Sequence, residues 1–343
     1  MPRSFHASWA ALGLIALGLV PSVDAKPLDV KTTLGVTARY DDNVYQYSDR
    51  NLAAFNSSTA KFLGLDSTDD IILTPSFDVR AVLQGPRPTR FFGGVDLHTY
   101  AQNTKKSYQT YTLGITQRLA RKTDLTLRYR FIPSFLVGRL ADPPNPPVLA
   151  TATYADAEFT LNAWRLALDA DVLPELNVEF FGLLENKDYN TAFDERDTTV
   201  KGGGVAATAR VHPQVRVKLG LASEVGDAAG AGDTATMSDT SYREQSVTIK
   251  PTVSPARGWD VSLLYDQAWK RYTSDLGISD KTHFGRKDQT QTLGLDAKVA
   301  LSRDLDLKGE LDHIKRTSNR SGADLEFADY TEQRVTVGAS YRF

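Results

Sequence analysis

The chain has 343 residues, and its 40 Lys and Arg side chains nearly balance 42 Asp and Glu, giving a formal net charge of −2. This balance provides no basic excess for binding nucleic acid. The absence of cysteine excludes a disulfide framework, a Cys-ligated metal and a thiol nucleophile. The mean hydropathy of −0.32 excludes a helical membrane protein but permits a membrane barrel, because only alternate residues of a membrane strand face lipid.

The N-terminus has the three-part pattern of a secretory signal. Arg3 is followed by an apolar run from Trp9 to Val20, then by Pro21 and a small residue at Ala25. The alternative, an uncleaved membrane anchor, is disfavoured because a spanning helix needs roughly 20 apolar residues. We therefore predict a cleavable signal peptide at 1–25 and a single exported domain at 26–343.

After the signal, apolar and polar side chains alternate with the period of a β-strand. The segment LTLRYRF (125–131) places Leu and aromatic residues on one face and Thr126, Arg128 and Arg130 on the other. In the sixth run the apolar phase slips between Ala163 and Trp164, which predicts a β-bulge there. The alternation predicts about fourteen strands, near 28–45, 68–84, 89–103, 106–120, 123–138, 152–170, 174–189, 196–212, 214–226, 240–254, 257–274, 286–302, 304–317 and 328–343.

The connections between these strands alternate between short and long. QGPRP (84–88), HPQ (212–214) and SRD (302–304) are short, whereas 46–67 and 137–151 are long. Short periplasmic turns, long extracellular loops and an even strand count are typical of outer-membrane barrels. The fold prediction is therefore all-β: a transmembrane antiparallel up-and-down β-barrel with both termini in the periplasm. The alternative is a soluble β-sandwich, although sandwich strands usually have only about 5–6 residues.

Aromatic residues cluster near the predicted strand ends. Such residues form girdles at the lipid headgroups of membrane barrels. The predicted girdles comprise Tyr40, Tyr45, Tyr100, Trp269 and Tyr272 towards the loops, and Tyr341 and Phe343 towards the periplasm.

Many charged residues fall on the polar face of the predicted strands. A Lys or Arg facing lipid at the bilayer midplane costs about 2–4 kcal/mol, so this face should point into the barrel. About fourteen strands lie between the filled eight-stranded barrel and the open channel of 16–18 strands. The predicted pore-lining residues are Arg39, Arg80, Asp96, His98, Arg128, Arg130, Glu179, Arg216, Lys218, Asp266, Asp296, Lys298, Lys308, Glu310 and Arg334. A barrel closed by paired lumen charges is the alternative.

The sequence offers little for catalysis. Four histidines remain outside the signal, and only His98 is predicted to point inward, on the same strand as Asp96. A catalytic base must lie within hydrogen-bonding reach of its nucleophile or water. We therefore expect no enzyme, no catalytic residue, no cofactor and no metal.

Two segments resemble a known family. LGVTARYDDNVYQYSD (34–49), with its Tyr-Asp-Asp-Asn run at 40–43, and the closing VTVGASYRF (335–343) resemble the β-barrel porin type-2 family of bacterial outer-membrane proteins. The resemblance implies an outer-membrane location and a porin or polysaccharide-export role in exopolysaccharide loci. The terminal ASYRF, with Tyr341 and Phe343, also resembles the signal that the outer-membrane barrel assembly machinery reads.

Together these features predict a porin-like channel for hydrophilic solutes or polysaccharide. The expected partners are outer-membrane lipids, the barrel assembly machinery and polysaccharide-export components, with no nucleic acid. One alternative is a non-conducting structural or adhesive barrel that acts through loops 46–67 and 139–152. A barrel enzyme is the other alternative.

Overall fold

The computed structural model describes residues 28–55, 62, 64–142, 153–233, 238–319 and 329–343. The predicted signal peptide lies outside these residues. The described strands are β1 (Leu28–Asp41), β2 (Asp70–Leu83), β3 (Thr89–Tyr100), β4 (Tyr108–Ala120), β5 (Thr123–Asp142), β6 (Thr153–Leu173), β7 (Leu176–Tyr189), β8 (Thr198–His212), β9 (Val215–Ala228), β10 (Tyr242–Val253), β11 (Trp259–Tyr272), β12 (Lys287–Ala300), β13 (Leu305–Ser318) and β14 (Tyr330–Arg342). One short helix, α1 (Asp49–Ala54), lies in the first long loop.

The strands form one closed antiparallel barrel in which each strand pairs with its neighbours in the chain. The ring closes where β1 pairs with β14, in a register that runs from Thr33 opposite Arg342 to Asp41 opposite Arg334. Closure leaves no edge strand with unpaired backbone groups, which a membrane could not hydrate. The predicted fold class is confirmed, and the sandwich alternative is wrong.

The outer face of the barrel is apolar and exposed. Leu219, Leu263 and Val337 are each more than half exposed. In a soluble sandwich, this face of the alternating pattern would be buried in a core. Here the barrel turns it outward, as expected for strands surrounded by lipid.

The two ends of the barrel differ. Short turns join β2 to β3, β4 to β5 and β8 to β9 at one end, which we call the short-turn end. Because the strand count is even, β1 begins and β14 ends there too, and the Phe343 amide donates to the Thr32 carbonyl at 2.9 Å. The long connections lie at the other end, the long-loop end. There β5 and β6 are the longest strands, with 20 and 21 residues.

The predicted bulge in the sixth strand is wrong. The pairing of β6 with β7 runs without a shift from Phe159 to Asp171, straight through Ala163 and Trp164. The register shifts instead on β5, between Ile132 and Phe135 and again between Leu136 and Gly138. Leu161, Ala163 and Ala167 are apolar residues buried on the inner face of β6. Because this face is apolar here, the sequence loses its apolar–polar alternation without an extra residue.

The aromatic girdle at the long-loop end was only partly predicted. Tyr40 and Trp269 are 43% exposed on the outer face, as expected. Tyr45 and Tyr100 are instead buried, and Tyr272 lies on the inner face beneath the guanidinium of Arg286, 4.9 Å from its ring centroid. At the short-turn end, Tyr341 and Phe343 are exposed and their ring centroids lie 4.8 Å apart.

Hydrogen bonds between neighbouring loops tie the long-loop end together. The first loop packs Tyr45, Tyr47 and Phe62 into a small hydrophobic cluster. Its Asn43 side chain donates to the Thr331 carbonyl in the first residues of β14, at 3.0 Å, and the Tyr45 hydroxyl donates to Asn103 in the β3–β4 turn, also at 3.0 Å. The first loop therefore links β14, the strand that closes the barrel, to the β3–β4 turn.

Hydrogen bonds also join other connections at the long-loop end. The amide of Gly230 donates to the Glu195 carbonyl at 2.7 Å, and the amide of Asp239 donates to the Asp280 carboxylate at 3.0 Å. The amide of Lys287 donates to Asn319 at 2.7 Å. In the described parts of the chain, these bonds link the β7–β8, β9–β10, β11–β12 and β13–β14 connections, so these connections are not independent segments. No helix in the described parts of the chain is long and apolar enough to span a membrane.

Candidate channel lumen

The ladder register identifies the face on which each predicted pore-lining residue lies. Residues directly opposite each other in an antiparallel pair share a face. Arg130 on β5 lies opposite Thr112 on β4 and Ala163 on β6, and Glu310 on β13 lies opposite Asp296 on β12. Following the pairs around the ring puts all the predicted residues on the face opposite the exposed leucines. Those residues are Arg39, Arg80, Asp96, His98, Arg128, Arg130, Glu179, Arg216, Lys218, Asp266, Asp296, Lys298, Lys308, Glu310 and Arg334. That they line a conducting pore stays a prediction.

Near the short-turn end, ion pairs run along the inner wall. Asp306 on β13 accepts both Lys298 and Arg342 at 3.1 Å, and Arg216 on β9 lies 3.3 Å from Asp260 on β11. Each pair joins strands that are adjacent or next to adjacent. Such pairs stiffen the wall and do not by themselves bridge the lumen.

A second set of pairs lies on the opposite wall at the same end. Asp124 on β5 accepts Arg118 on β4 and Arg90 on β3, both at 2.7 Å. Both arginines are on the inner face, and Arg90 reaches across β4 to make its contact. The short-turn mouth is therefore lined by paired charges on both sides.

At mid-height, a group of arginines on β5 and β6 and a group of acids on β11 and β13 lie on different walls. Arg128 is the fifth residue after Thr123, where β5 begins, and Glu310 is the fifth after Leu305, where β13 begins. Strands of one barrel share a common tilt, so equal residue counts from the same end give similar heights. Arg130 and Asp312 each lie two residues further along their strands, so they are also at similar heights. In the ring of fourteen, β5 and β13 lie on opposite sides.

Small residues line the inner wall between these two regions. Gly204 and Ala206 on β8 lie opposite Ala222 and Gly220 on β9, all on the inner face. The Phe181 ring packs over Gly204, since a Cβ there would lie 2.7 Å from the ring, so the glycine accommodates this aromatic side chain.

Aromatic rings hold several cations in place near the long-loop end. The Lys270 ammonium lies 3.7 Å from the ring centroid of Tyr242, and the Arg316 guanidinium lies 4.5 Å from that of Tyr330. Lys106 is 3% exposed, lies 4.5 Å from the Tyr45 ring and donates to the Leu136 carbonyl at 2.9 Å. Desolvation lowers the pKa of the Lys106 ammonium to about 8, although the charges of Asp41 and Glu332 oppose that shift.

Two histidines, His98 and His283, pack against aromatic or acidic neighbours. His98 points inward as predicted, stacks on Tyr108 at 4.2 Å and lies within hydrogen-bonding distance of the Thr74 and Thr110 hydroxyls. In a long loop, His283 contacts Asp280 at 3.1 Å, and burial lowers the pKa of the His283 ring. No group of three or more acidic or histidine side chains within the described ranges could hold a metal ion.

Sequence reasoning missed two mid-height residues. Arg165 lies directly opposite Arg128, and Asp312 lies opposite Arg334, all on the inner face. Because the apolar alternation shifts at Ala163, the sequence pattern did not show that Arg165 lies on the inner face. Counting back along β6 in steps of two from Asp169, which shares the polar phase, would have recovered it.

No family model matches the chain, and no curated protein matches its sequence. The resemblance to the β-barrel porin type-2 family therefore stays a prediction.

Solved structures share the fold. The chain is similar to the outer membrane channel DcaP of Acinetobacter baumannii, with 13% identity, a TM-score of 0.51 and coverage of 92% of this chain and 97% of that one. It is also similar to a loop-deletion mutant of OmpT, an outer membrane protein of Vibrio cholerae. That match has 10% identity, a TM-score of 0.51 and coverage of 93% and 100%. The chain therefore has the fold of outer-membrane barrel proteins, among them channels.

Proposed function

We propose that this chain is an outer-membrane channel through which small hydrophilic solutes diffuse. The observation that carries the proposal is the contrast between the two faces of one closed sheet. The outer face carries exposed apolar side chains such as Leu263, and the inner face carries exposed charges such as Arg128 and Lys308. A wall of mixed charge suits a water-filled lumen, and fourteen strands make a wider barrel than the eight that side chains fill.

The pairing of charges within the wall supports an open lumen. Asp306 is satisfied by Lys298 and Arg342 on its own side of the barrel. Arg165 is likewise satisfied by Glu179 on the next strand. Charges that are neutralised locally do not need partners across the lumen, so the centre can stay hydrated.

Location and partners follow from the same proposal. Outer-membrane lipids surround the apolar face, both termini lie in the periplasm, and residues 1–25 direct export before removal. The barrel assembly machinery recognises the final strand through Tyr341 and Phe343. Polysaccharide-export components are further partners if the cargo is a polysaccharide, the alternative that the resemblance to the β-barrel porin type-2 family supplies.

The test is electrical. Mature protein refolded from denaturant into planar lipid bilayers is expected to give discrete conductance steps in KCl. A matched sample that was boiled and not refolded controls for detergent leakage. A folded barrel that stays silent at all voltages would refute the channel and favour the structural or adhesive alternative. Hydrolysis of lipid or peptide that His98→Ala abolishes would favour the enzyme.

A further inference from the structure

Three arginines form a group on one side of the lumen at mid-height. Arg128 on β5 lies directly opposite Arg165 on β6, and Arg130 follows two residues along on the same face. Like charges placed opposite each other on a sheet repel, so such a group is costly unless each charge is compensated.

Two of the three arginines have partners in the wall. Arg165 forms an ion pair with Glu179, and its guanidinium lies 4.3 Å from the ring centroid of Phe181. Arg130 lies 3.5 Å from Glu185. These contacts fix both side chains and use the nearby carboxylates.

Arg128 is different. Among the residues that the structure describes, no hydrogen bond or ion pair reaches its guanidinium, and its side chain is exposed on the inner face. Gly114, its neighbour on β4, offers no side chain to contact it. The planar guanidinium is thus free to form two parallel hydrogen bonds to an oxyanion, the geometry that arginine favours with carboxylate and phosphate.

Acids occupy the far side of the lumen at the same height. Glu310 and Asp312 lie on β13, and Asp266 is the seventh residue of β11 after Trp259, as Arg130 is of β5 after Thr123. Arg334 lies directly opposite Asp312 on this wall, but it is paired with Glu332 and Asp41 and leaves the acids there to disfavour an anion. The low-dielectric barrel around water concentrates the field between the two sides. An anion passing through is therefore directed to β5 and β6.

We propose that Arg128 is the central contact of an anion-binding step in the lumen. There a small solute bearing a carboxylate or phosphate group is held as it passes. Arg130 and Arg165 contribute positive potential but remain paired with Glu185 and Glu179. The inference rests on the proposed channel function and names the solute class that the channel would favour.

The test uses block of the open channel by a defined anion. Refolded mature protein in a planar bilayer, in about 0.15 M KCl, where the Debye length is about 8 Å, is titrated with succinate, and the uncharged analogue succinamide controls for size. Succinate is expected to reduce the current at concentrations where succinamide has no effect. Arg128→Gln should raise the half-blocking succinate concentration about tenfold, as expected for loss of a charged hydrogen bond.

Arg80→Gln is the matched control. Arg80 is also an exposed inner-face arginine with no ion pair among the described residues, but it lies nearer the short-turn end, on β2. It should leave the half-blocking concentration within about twofold of wild type. Heat-modifiable migration on gels verifies that each variant has folded.

Two results would overturn the inference while leaving the channel intact. One is a conducting wild type that succinate blocks no better than succinamide does. The other is an equal change in Arg80→Gln and Arg128→Gln, which would show that only the total lumen charge matters. A wild-type barrel that never conducts would instead refute the proposed function itself.

Discussion

Asp70 anchors the β3–β4 turn to the start of β2, and its substitution should destabilise the long-loop end of the barrel. The carboxylate is fully buried and accepts the backbone amides of Ala101 at 2.9 Å, Gln102 at 3.0 Å and Asn103 at 2.7 Å. It also accepts the Asn103 side-chain amide at 3.0 Å. One carboxylate therefore accepts four hydrogen bonds from this turn.

Asp70→Asn keeps the shape of the side chain but replaces one acceptor oxygen by a donor. The two Asn103 donors, both bound to Oδ2, then face an amide nitrogen. Each hydrogen bond to a buried charge contributes about 1.5–3 kcal/mol, so the loss should be about 3–6 kcal/mol if the turn stays dry. Water entering the rim would reduce this, and we expect about 3 kcal/mol.

Denaturant unfolding of refolded protein in lipid vesicles, followed by tryptophan fluorescence, measures this difference. Asp66→Asn is the matched control, because Asp66 lies in the preceding loop and is exposed. It should change the free energy of unfolding by less than about 0.5 kcal/mol. Equal effects of the two substitutions would refute the account of Asp70 as an anchor.

Three further predictions concern packing, pH and assembly. Gly204→Ala should lower the free energy of unfolding by about 1–3 kcal/mol, because its Cβ would lie 2.7 Å from the Phe181 ring and closer still to the Leu221 carbonyl. Gly182→Ala, whose Cβ meets nothing nearer than 3.9 Å, should be neutral, and equal losses would contradict this. Because burial lowers the pKa of Lys106 from 10.5 to about 8, the unfolded chain binds more protons between those values. Stability should therefore rise with pH there in wild type more than in Lys106→Met. Parallel pH curves would be the contrary result. Finally, Phe343→Ser should reduce the folded barrel recovered from outer membranes while leaving refolding in vitro unchanged, and normal recovery would contradict an assembly role.

The barrel could be predicted from the sequence because lipid imposes one rule on every strand. Alternation in segments such as 125–131 and 305–311 gave the strand count, and it also gave the inward phase of Arg128 and Glu310. Both follow from a two-residue period that the closed sheet preserves from end to end.

The sequence predictions were wrong where packing between loops or strands places residues in positions that the two-residue period does not determine. Tyr45 and Tyr100 lie near strand ends, but they are buried because the first loop folds over the β3–β4 turn. At Ala163 and Trp164 the pairing of β6 is regular; the register shifts on β5, in the part of the hairpin near the long-loop end, and on β6 only between Asp171 and Leu173, next to the short turn. The partner of Arg90, which lies two strands away on β5, could not be inferred without the register.

The central claim is that one face of the sheet meets lipid and the other meets water. Leu263 and Leu264 are neighbours on β11 that point to opposite faces, with Leu263 59% exposed outward. Folding each variant into lipid vesicles and measuring its free energy of unfolding tests the claim most directly. Leu263→Arg should lose about 2–4 kcal/mol, and Leu264→Arg should lose less than about 1 kcal/mol. Equal losses, or a larger loss for Leu264→Arg, would contradict the account.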